Sequence, residues 1–276
     1  MGRIGTGRTI LLCLLLVPFV YPFIFLAMVA VRTRDDYIRS PLGLPTEITG
    51  ANLARAWELG HYDRAILNSF TVSLVSSVTL VVVSALAAFW FVRHRGRLSR
   101  VLYLGLVSAW LIPLVIYVIP LFVVLSQLGL TDNLVLLGIL IAAVNVPFGL
   151  FLTLSYLRTG LPAEVLEAAR VDGASVWQEF HRVVLPLARP VLGTLAALGF
   201  ISAWGDLLMS LILIQSADNY TMTIATSTIS QNSAREGEAA VQVLAAAGLT
   251  AMLPLAAVFL LFQRAISRGL TAGVGR

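Results

Sequence analysis

Residues 167–186 read Glu-Ala-Ala-Arg-Val-Asp-Gly-Ala-Ser-Val-Trp-Gln-Glu-Phe-His-Arg-Val-Val-Leu-Pro, a polar stretch between two long apolar spans. Its local chemistry predicts a helix, a turn and a second helix. Pro162 suits the first turn of a helix, where a missing N–H is no loss. Alanines and carboxylates continue that helix through Arg170. Asp172-Gly173 supplies the break, because glycine accepts positive φ beyond a helix end without a Cβ clash. Ser175, with Gln178 three residues later, has the spacing of a capping box and opens a second short helix that Leu185-Pro186 should close. The small residues Ala168, Ala169 and Gly173 give the unit a face able to seat in another protein's groove. The plainer reading is an ordinary loop that happens to be helical.

The flanking sequence fixes the environment. The 276 residues are 58% hydrophobic, with a mean hydropathy of +0.90. A soluble domain runs at about 45–50% apolar. A bilayer core needs about 20 apolar residues per helix, and six stretches qualify: 9–31, 65–92, 101–125, 134–157, 191–214 and 241–262. The expected fold is therefore an all-α integral membrane domain of six transmembrane helices. Pro113 and Pro120 cut the third stretch, Pro147 the fourth and Pro254 the sixth. Membrane helices tolerate such breaks where neighbours satisfy the freed carbonyls. The first stretch is longer than the apolar region of a signal peptide and lacks an Ala-x-Ala site, so it reads as a retained helix. Residues 32–64 are too polar to span and read as an outer-face loop, and 158–189 as the loop that carries the helix–turn–helix.

Charge asymmetry orients these spans. Arg3, Arg8, Arg93, Arg95, Arg97, Arg100, Arg158, Arg170, Arg182, Arg189, Arg264, Arg268 and Arg276 lie on one set of connections. The opposite set holds Arg32, Arg34, Arg39, Arg55, Arg64 and Arg235, and in the first of its connections five arginines meet five acids. The positive-inside rule then puts both termini and the Glu167 loop in the cytoplasm. The net charge of +5 reports this bias, not nucleic-acid binding.

Several chemistries are excluded. Cys13 is the single cysteine, and His61, His94 and His181 fall at no ligand-like spacing, so no metal site is expected. All 19 basic residues are arginine, which rules out a phosphate-binding loop of the kind that needs lysine. If ATP hydrolysis drives this protein, another chain performs it. This chain then binds no cofactor itself, and ATP and Mg belong to the partner.

The spacing Glu167-Ala168-Ala169, Gly173, then Val183, Leu185-Pro186 resembles the "EAA" loop of ABC-importer permeases, Glu-Ala-Ala-x3-Gly-x9-Ile-x-Leu-Pro, with Val183 in the isoleucine position. Leu128-Gly129-Leu130-Thr131-Asp132-Asn133 resembles a connection of the carbohydrate-type permeases. So does Leu161-Pro162-Ala163-Glu164 leading into Asp172-Gly173-Ala174-Ser175. Trp204-Gly205-Asp206 sits where such permeases often carry Trp-Asn-Asp or Trp-Asn-Glu, and Gly205 departs from that pattern. The tail Phe262-Gln263-Arg264, Gly269-Leu270-Thr271-Ala272-Gly273 is similar to the maltose-transport-G-like permease, though it stops earlier, at Arg276.

The resemblance implies the type I ABC-importer permease fold, with cytoplasmic coupling helices, in a prokaryotic inner membrane. It implies as partners a second, homologous permease, two ATPase domains and an extracytoplasmic solute-binding protein, with a sugar or sugar-like solute as cargo. By the same resemblance Glu164, Glu167, Ala168, Ala169, Asp172, Gly173, Ala174, Leu185 and Pro186 dock the ATPase, and Gly269, Leu270 and Thr271 reach its dimer.

Polar residues within the spans are the remaining candidates. Trp204, Asp206 and Asn145 are a possible substrate path, the ring stacking on a sugar's apolar face. The structural reading is favoured: Asp206 pairs with arginine or backbone, Asn145 satisfies the carbonyl freed by Pro147, and Trp204 packs on the other permease. Serines and threonines between Ser69 and Ser77 are expected to bond back to their own helix. A secondary transporter or channel should show paired ionisable groups in the membrane, and Asp206 stands nearly alone. An intramembrane hydrolase needs a nucleophile and base at depth, which the spans lack.

Overall fold

Apolar runs in lipid must satisfy their own backbone, and helices do so within one segment. The computed structural model describes residues 6–160, 163–236 and 240–271, and no strand occurs among them. The helices are α1 (Thr6–Ala30), α2 (Arg34–Arg39), α3 (Ala51–Gly60), α4 (Tyr62–Arg93), α5 (Arg97–Ala109) and α6 (Leu114–Gln127). They continue as α7 (Leu134–Gly160), α8 (Ala163–Val171), α9 (Val176–Trp204), α10 (Leu208–Leu213), α11 (Met222–Glu236) and α12 (Ala240–Thr271). The chain divides into two compact units. One is Met1–Ala65 with Met222–Pro254, the other Ile66–Thr221 with Leu255–Arg276.

Among the described residues, four helices are long and apolar enough to cross a membrane: Tyr62–Arg93, Leu134–Gly160, Val176–Trp204 and Val241–Gln263. The stretch expected as one span at 101–125 is instead a bent pair, α5 and α6, meeting at 92°. Pro113 is the cause. It holds an extended conformation (φ −60°, ψ 133°) at the start of α6, and proline cannot continue the helix that precedes it. Counted as one span, this pair makes a fifth. The apolar helix described at the N-terminal end, Leu14–Ala30, is shorter. The stretch expected at 191–214 also differs, because the helix starts earlier, at Val176, and stops at Trp204.

In the first unit, the polar segment between α1 and α4 is built around Arg32, which is 0% exposed. Its Nε donates to Asp36 Oδ2 at 2.7 Å, and its Nη atoms reach the carbonyls of Asp36, Ser40 and Gly43 at 2.8, 2.9 and 3.0 Å. Asp36 also accepts from the Thr46 hydroxyl and amide. These donors, with Arg32 first, hold the Asp36 carboxyl far below the usual carboxylate range. Asn52 closes the knot by donating to the carbonyls of Ala30 and Arg32, at 2.9 and 2.8 Å. With Arg39–Glu47 and Arg55–Glu58, these contacts show where the balanced charges of this connection go.

In the second unit, α4, α7 and α10's predecessor α9 approach closely through small residues, as membrane helices do. A Cβ on Gly138 would lie 2.7 Å from the Val72 carbonyl, and one on Gly199 would lie 3.2 Å from Ser77 Cα. Ser77 donates across this contact to the Ala196 carbonyl at 2.8 Å, so it does not bond back to its own helix. Thr71 does so, to Leu67 at 2.9 Å. The Leu128–Asn133 connection is pinned by its polar residues. Asp132 Oδ1 accepts from the amides of Gln215 and Ser216 at 3.0 and 3.1 Å, and Asn133 caps α7 through the Leu136 amide at 2.9 Å. Partial burial raises the Asp132 pKa, but bonds from Ser216 and Gln215 outweigh it and the net shift is downward.

Candidate functional site

The turn between α8 and α9 is made by local chemistry alone. Gly173 sits at φ +78°, beyond the end of α8. The Gly173 amide donates to the Arg170 carbonyl at 3.0 Å and the Ala174 amide to the Ala169 carbonyl at 2.9 Å. Those two bonds are the Schellman arrangement that closes a helix on a left-handed glycine. Immediately afterwards Ser175 opens α9. Its Oγ accepts from the Gln178 amide at 3.3 Å, while Gln178 Oε1 accepts from the Ser175 amide at 2.8 Å, a complete capping box. One helix end and one helix start are therefore satisfied within a few residues.

Leu185-Pro186 does not end the second helix. The backbone widens into a π stretch, Glu179–Val184, and continues straight into Leu185–Trp204. In a π turn the amide reaches five residues back, as Leu185 does to the Phe180 carbonyl. The wider turn relieves the clash that a proline ring makes with the carbonyl four residues behind it. Pro186 thus sits at the join between π and α winding, and the membrane helix and the turn are one element.

Two sets of contacts hold the turn from below. Leu166 and Phe180 are buried, 4% and 7% exposed, in one cluster with Phe89, Leu154, Leu157 and Val184. Burial of a leucine or phenylalanine side chain is worth about 1.5–3 kcal/mol. Glu179, 1% exposed, receives Arg93 Nη1 on Oε2 at 2.6 Å and Arg170 Nε on Oε1 at 3.3 Å. One carboxylate so joins the end of α4, the end of α8 and the start of α9. Arg93 is shared with the Phe89 ring, its guanidinium 5.7 Å from the centroid.

Above this base the expected docking residues are on the surface. Glu167, Ala168, Asp172 and Gly173 are exposed, Ala169 and Ala174 half-buried, and Leu185 and Pro186 half-buried on the helix that follows. The Glu164 side chain and Pro162 lie outside the described residues. Val171 and Trp177, 87% and 65% exposed, add apolar surface beside Gly173. The sequence reading missed them, although two large apolar residues in a polar loop were a visible signal. It also missed Glu179, whose partner Arg93 is 86 positions away and has no local signature.

Each intramembrane candidate has partners within this chain. Trp204 is 3% exposed, its ring stacked at 5.8 Å on Phe200 within this chain. Asp206 lies in the break after Trp204, and its Oδ1 accepts from the amide and hydroxyl of Ser210 at 2.9 and 3.0 Å, closing the start of α10. Asn145 donates to the Ile141 carbonyl at 2.8 Å and not to that of Ala143, the one Pro147 frees, and reaches Ser202 Oγ at 3.4 Å. α12 runs on through Thr271, but the surroundings of Gly269, Leu270 and Thr271 lie outside what is described.

Glu179→Gln tests the base of the turn. Charge-assisted hydrogen bonds are worth about 1.5–3 kcal/mol each, so amides of Ala163–Val171 are expected to exchange roughly tenfold faster with the chain still inserted. Unchanged hydrogen exchange across α8 would show that the two arginines do not hold it.

Comparison with known proteins gives the family and the fold. Residues 80–272 match the model of the binding-protein-dependent transport system inner membrane component family. The melibiose/raffinose/stachyose import permease protein MelC of Bacillus subtilis (strain 168) is 27% identical over 91% of this chain and 90% of its own length. The trehalose transport system permease protein SugB of Mycobacterium tuberculosis (strain CDC 1551 / Oshkosh) is 31% identical over 83% of each. Among solved structures, a chain of a bacterial ABC transporter involved in the import of the acidic polysaccharide alginate superposes with a TM-score of 0.78 at 22% identity, covering 94% of this chain and 95% of that one. A second structure of such a transporter, in complex with an alginate pentasaccharide-bound periplasmic protein, gives 0.64 at 20% identity over 93% of each. The match covers α7, the turn and α9 together, and this chain belongs to the family of binding-protein-dependent transport system inner membrane components.

Proposed function

We propose that this permease carries sugars or sugar-like solutes by alternating access, driven by a separate ATPase that grips the turn at Asp172–Gly173. The observation that carries this reading is a surface turn made stiff from beneath. Leu166, Phe180 and Glu179 fix it to the membrane helices, while Ala168, Val171, Gly173 and Trp177 remain open. A turn fixed this way transmits displacement to the helix bundle as rotation. Relatives with named sugar cargoes support the substrate class. The absence of lysine supports a separate motor, so ATP and Mg are assigned to that partner and no cofactor to this chain. A second permease and an external binding protein complete the assembly in this reading. The exposed Leu42, Leu44 and Ile48 offer apolar surface on the segment between α1 and α4.

The test is to purify the chain alone and with its co-expressed partners. Calorimetry should show no ATP binding to the single chain, and solute-stimulated ATPase activity and sugar uptake should appear only in the reconstituted assembly. Specific nucleotide binding by the single chain would overturn the division of labour. An assembly that hydrolyses ATP yet takes up no sugar would remove the substrate class alone.

The arginine distribution also supports a cytoplasmic turn. In a Cys13→Ser background, Arg182→Cys should react only with reagent applied from the cytoplasmic side, and Leu44→Cys only from the other. The reverse pattern would invert the topology.

A further inference from the structure

A cavity of about 1040 Å³ lies where the end of α4, the start of α5 and the end of α7 come together. Arg95, Arg97, Arg100 and Arg158 line it with His94, and among the described residues no carboxylate does. Several arginines elsewhere have acids: Arg32 has Asp36, while Arg93 and Arg170 share Glu179. These four have no carboxylate partner among the described residues, and Arg158 instead lies over the Tyr103 ring at 5.7 Å. The 13-residue α5 begins at this cavity. Its cap residue Gly96 is extended and contributes no side chain, leaving first-turn amides open toward an anion.

A second observation says what kind of anion. The far side of Leu104 lines a separate groove of about 260 Å³, walled by Val107, Trp110, Phe148 and Phe151 and almost wholly apolar. Phe148 and Phe151 belong to α7, a membrane-crossing helix, so that end lies at hydrocarbon depth. Trp110 stacks on Phe148 at 5.3 Å and closes one wall. A cluster of guanidiniums and a dry slot therefore adjoin along one helix. A free anion would use only the arginines, and an acidic protein segment would leave polar backbone in the slot. A phospholipid has both parts, and guanidiniums bind phosphate oxygens in bidentate pairs.

We propose that the cavity bounded by Arg95, Arg97, Arg100 and Arg158 binds the phosphate of an anionic phospholipid, with one acyl chain laid in the groove beyond Leu104. The bound lipid holds α5 against α7, where the bend before Pro113 leaves α5 without a continuous helical partner beyond it.

The test uses the full chain with whatever partners co-purify, stripped of lipid in mild detergent. Native mass spectrometry then follows titration with dioctanoyl phosphatidylglycerol, dioctanoyl phosphatidylcholine and glycerol phosphate. Phosphatidylglycerol is expected to bind at least tenfold more tightly than the other two. Arg97→Gln and Arg100→Gln should each weaken it about fivefold, the effect of one basic residue on an anionic lipid, while the lysine variants, which keep the charge but lose the fork, should weaken it less. Ser108→Trp, which fills the groove alone, should weaken phosphatidylglycerol and leave glycerol phosphate unchanged. Equal binding of phosphatidylcholine, or of glycerol phosphate, would overturn the proposal. So would glutamine variants that keep the lipid but lose a partner chain, since the arginines would then serve a protein contact.

Discussion

Arg32→Ala is expected to open the segment between α1 and α4. The side chain is 0% exposed and donates to the Asp36 carboxylate and to the carbonyls of Asp36, Ser40 and Gly43. Each carbonyl stranded in this way costs about 1–3 kcal/mol, and the carboxylate of Asp36 loses its counter-ion in the same step. Trypsin should then cut at Arg34, Arg39 or Arg55 at least tenfold faster than in the wild type. Arg32→Lys, which keeps the charge but loses the fork that reaches several carbonyls, should fall between the two. Equal protease resistance of the alanine variant would refute the assignment. Acid should have a related effect. Because the folded Asp36 value is depressed, its stabilisation is complete above the ordinary carboxylate value of 3.8 and fades as pH falls below it. Protection from an acid-active protease should therefore decline below that pH.

Gly173→Trp is expected to abolish coupling while leaving the chain in the membrane. No atom lies within 4 Å of where a Cβ would stand, so the base of the new side chain meets no obstacle. Two costs remain. The left-handed conformation at φ +78° costs an L-residue about 1–2 kcal/mol, and the ring covers the face between Ala168 and Trp177. Blocking a central contact of about 2 kcal/mol lowers transport roughly thirtyfold. Gly173→Asn tolerates the conformation with less bulk and should retain most activity, separating strain from obstruction. Normal uptake and normal solute-stimulated ATPase activity in the reconstituted Gly173→Trp assembly would remove the docking assignment.

What was legible in the sequence is what local rules govern. The Gly173 turn and the Ser175–Gln178 box were readable because both are closed by residues within five positions of each other. Long apolar runs were readable because the bilayer asks only for length. Pro186 misled because the rule that proline ends a helix assumes α winding, and the π stretch Glu179–Val184 removes the clash behind the rule. Pro113 misled in the opposite sense, since it did break a span that length alone made continuous. Arg32 and Glu179 were invisible as central residues. Each was one charge in a tally, and its importance comes from partners placed by the fold, up to 86 positions away for Glu179.

The unbroken helix Val176–Trp204 has a mechanical consequence. Its 29 residues make a rod about 43 Å long, with the capping box at one end and Gly205 at the other. A rod of that kind is a lever. A push of about 4 Å at the Val176 end, pivoting at the far end, tilts it by about 5° at that length. The π stretch Glu179–Val184 and Pro190 lie within the rod, and its far end is the break at Gly205, beyond which Asp206 and the short helix α10 begin. If the turn is pushed, the break at Gly205 is where the far end of this lever meets the rest of the chain.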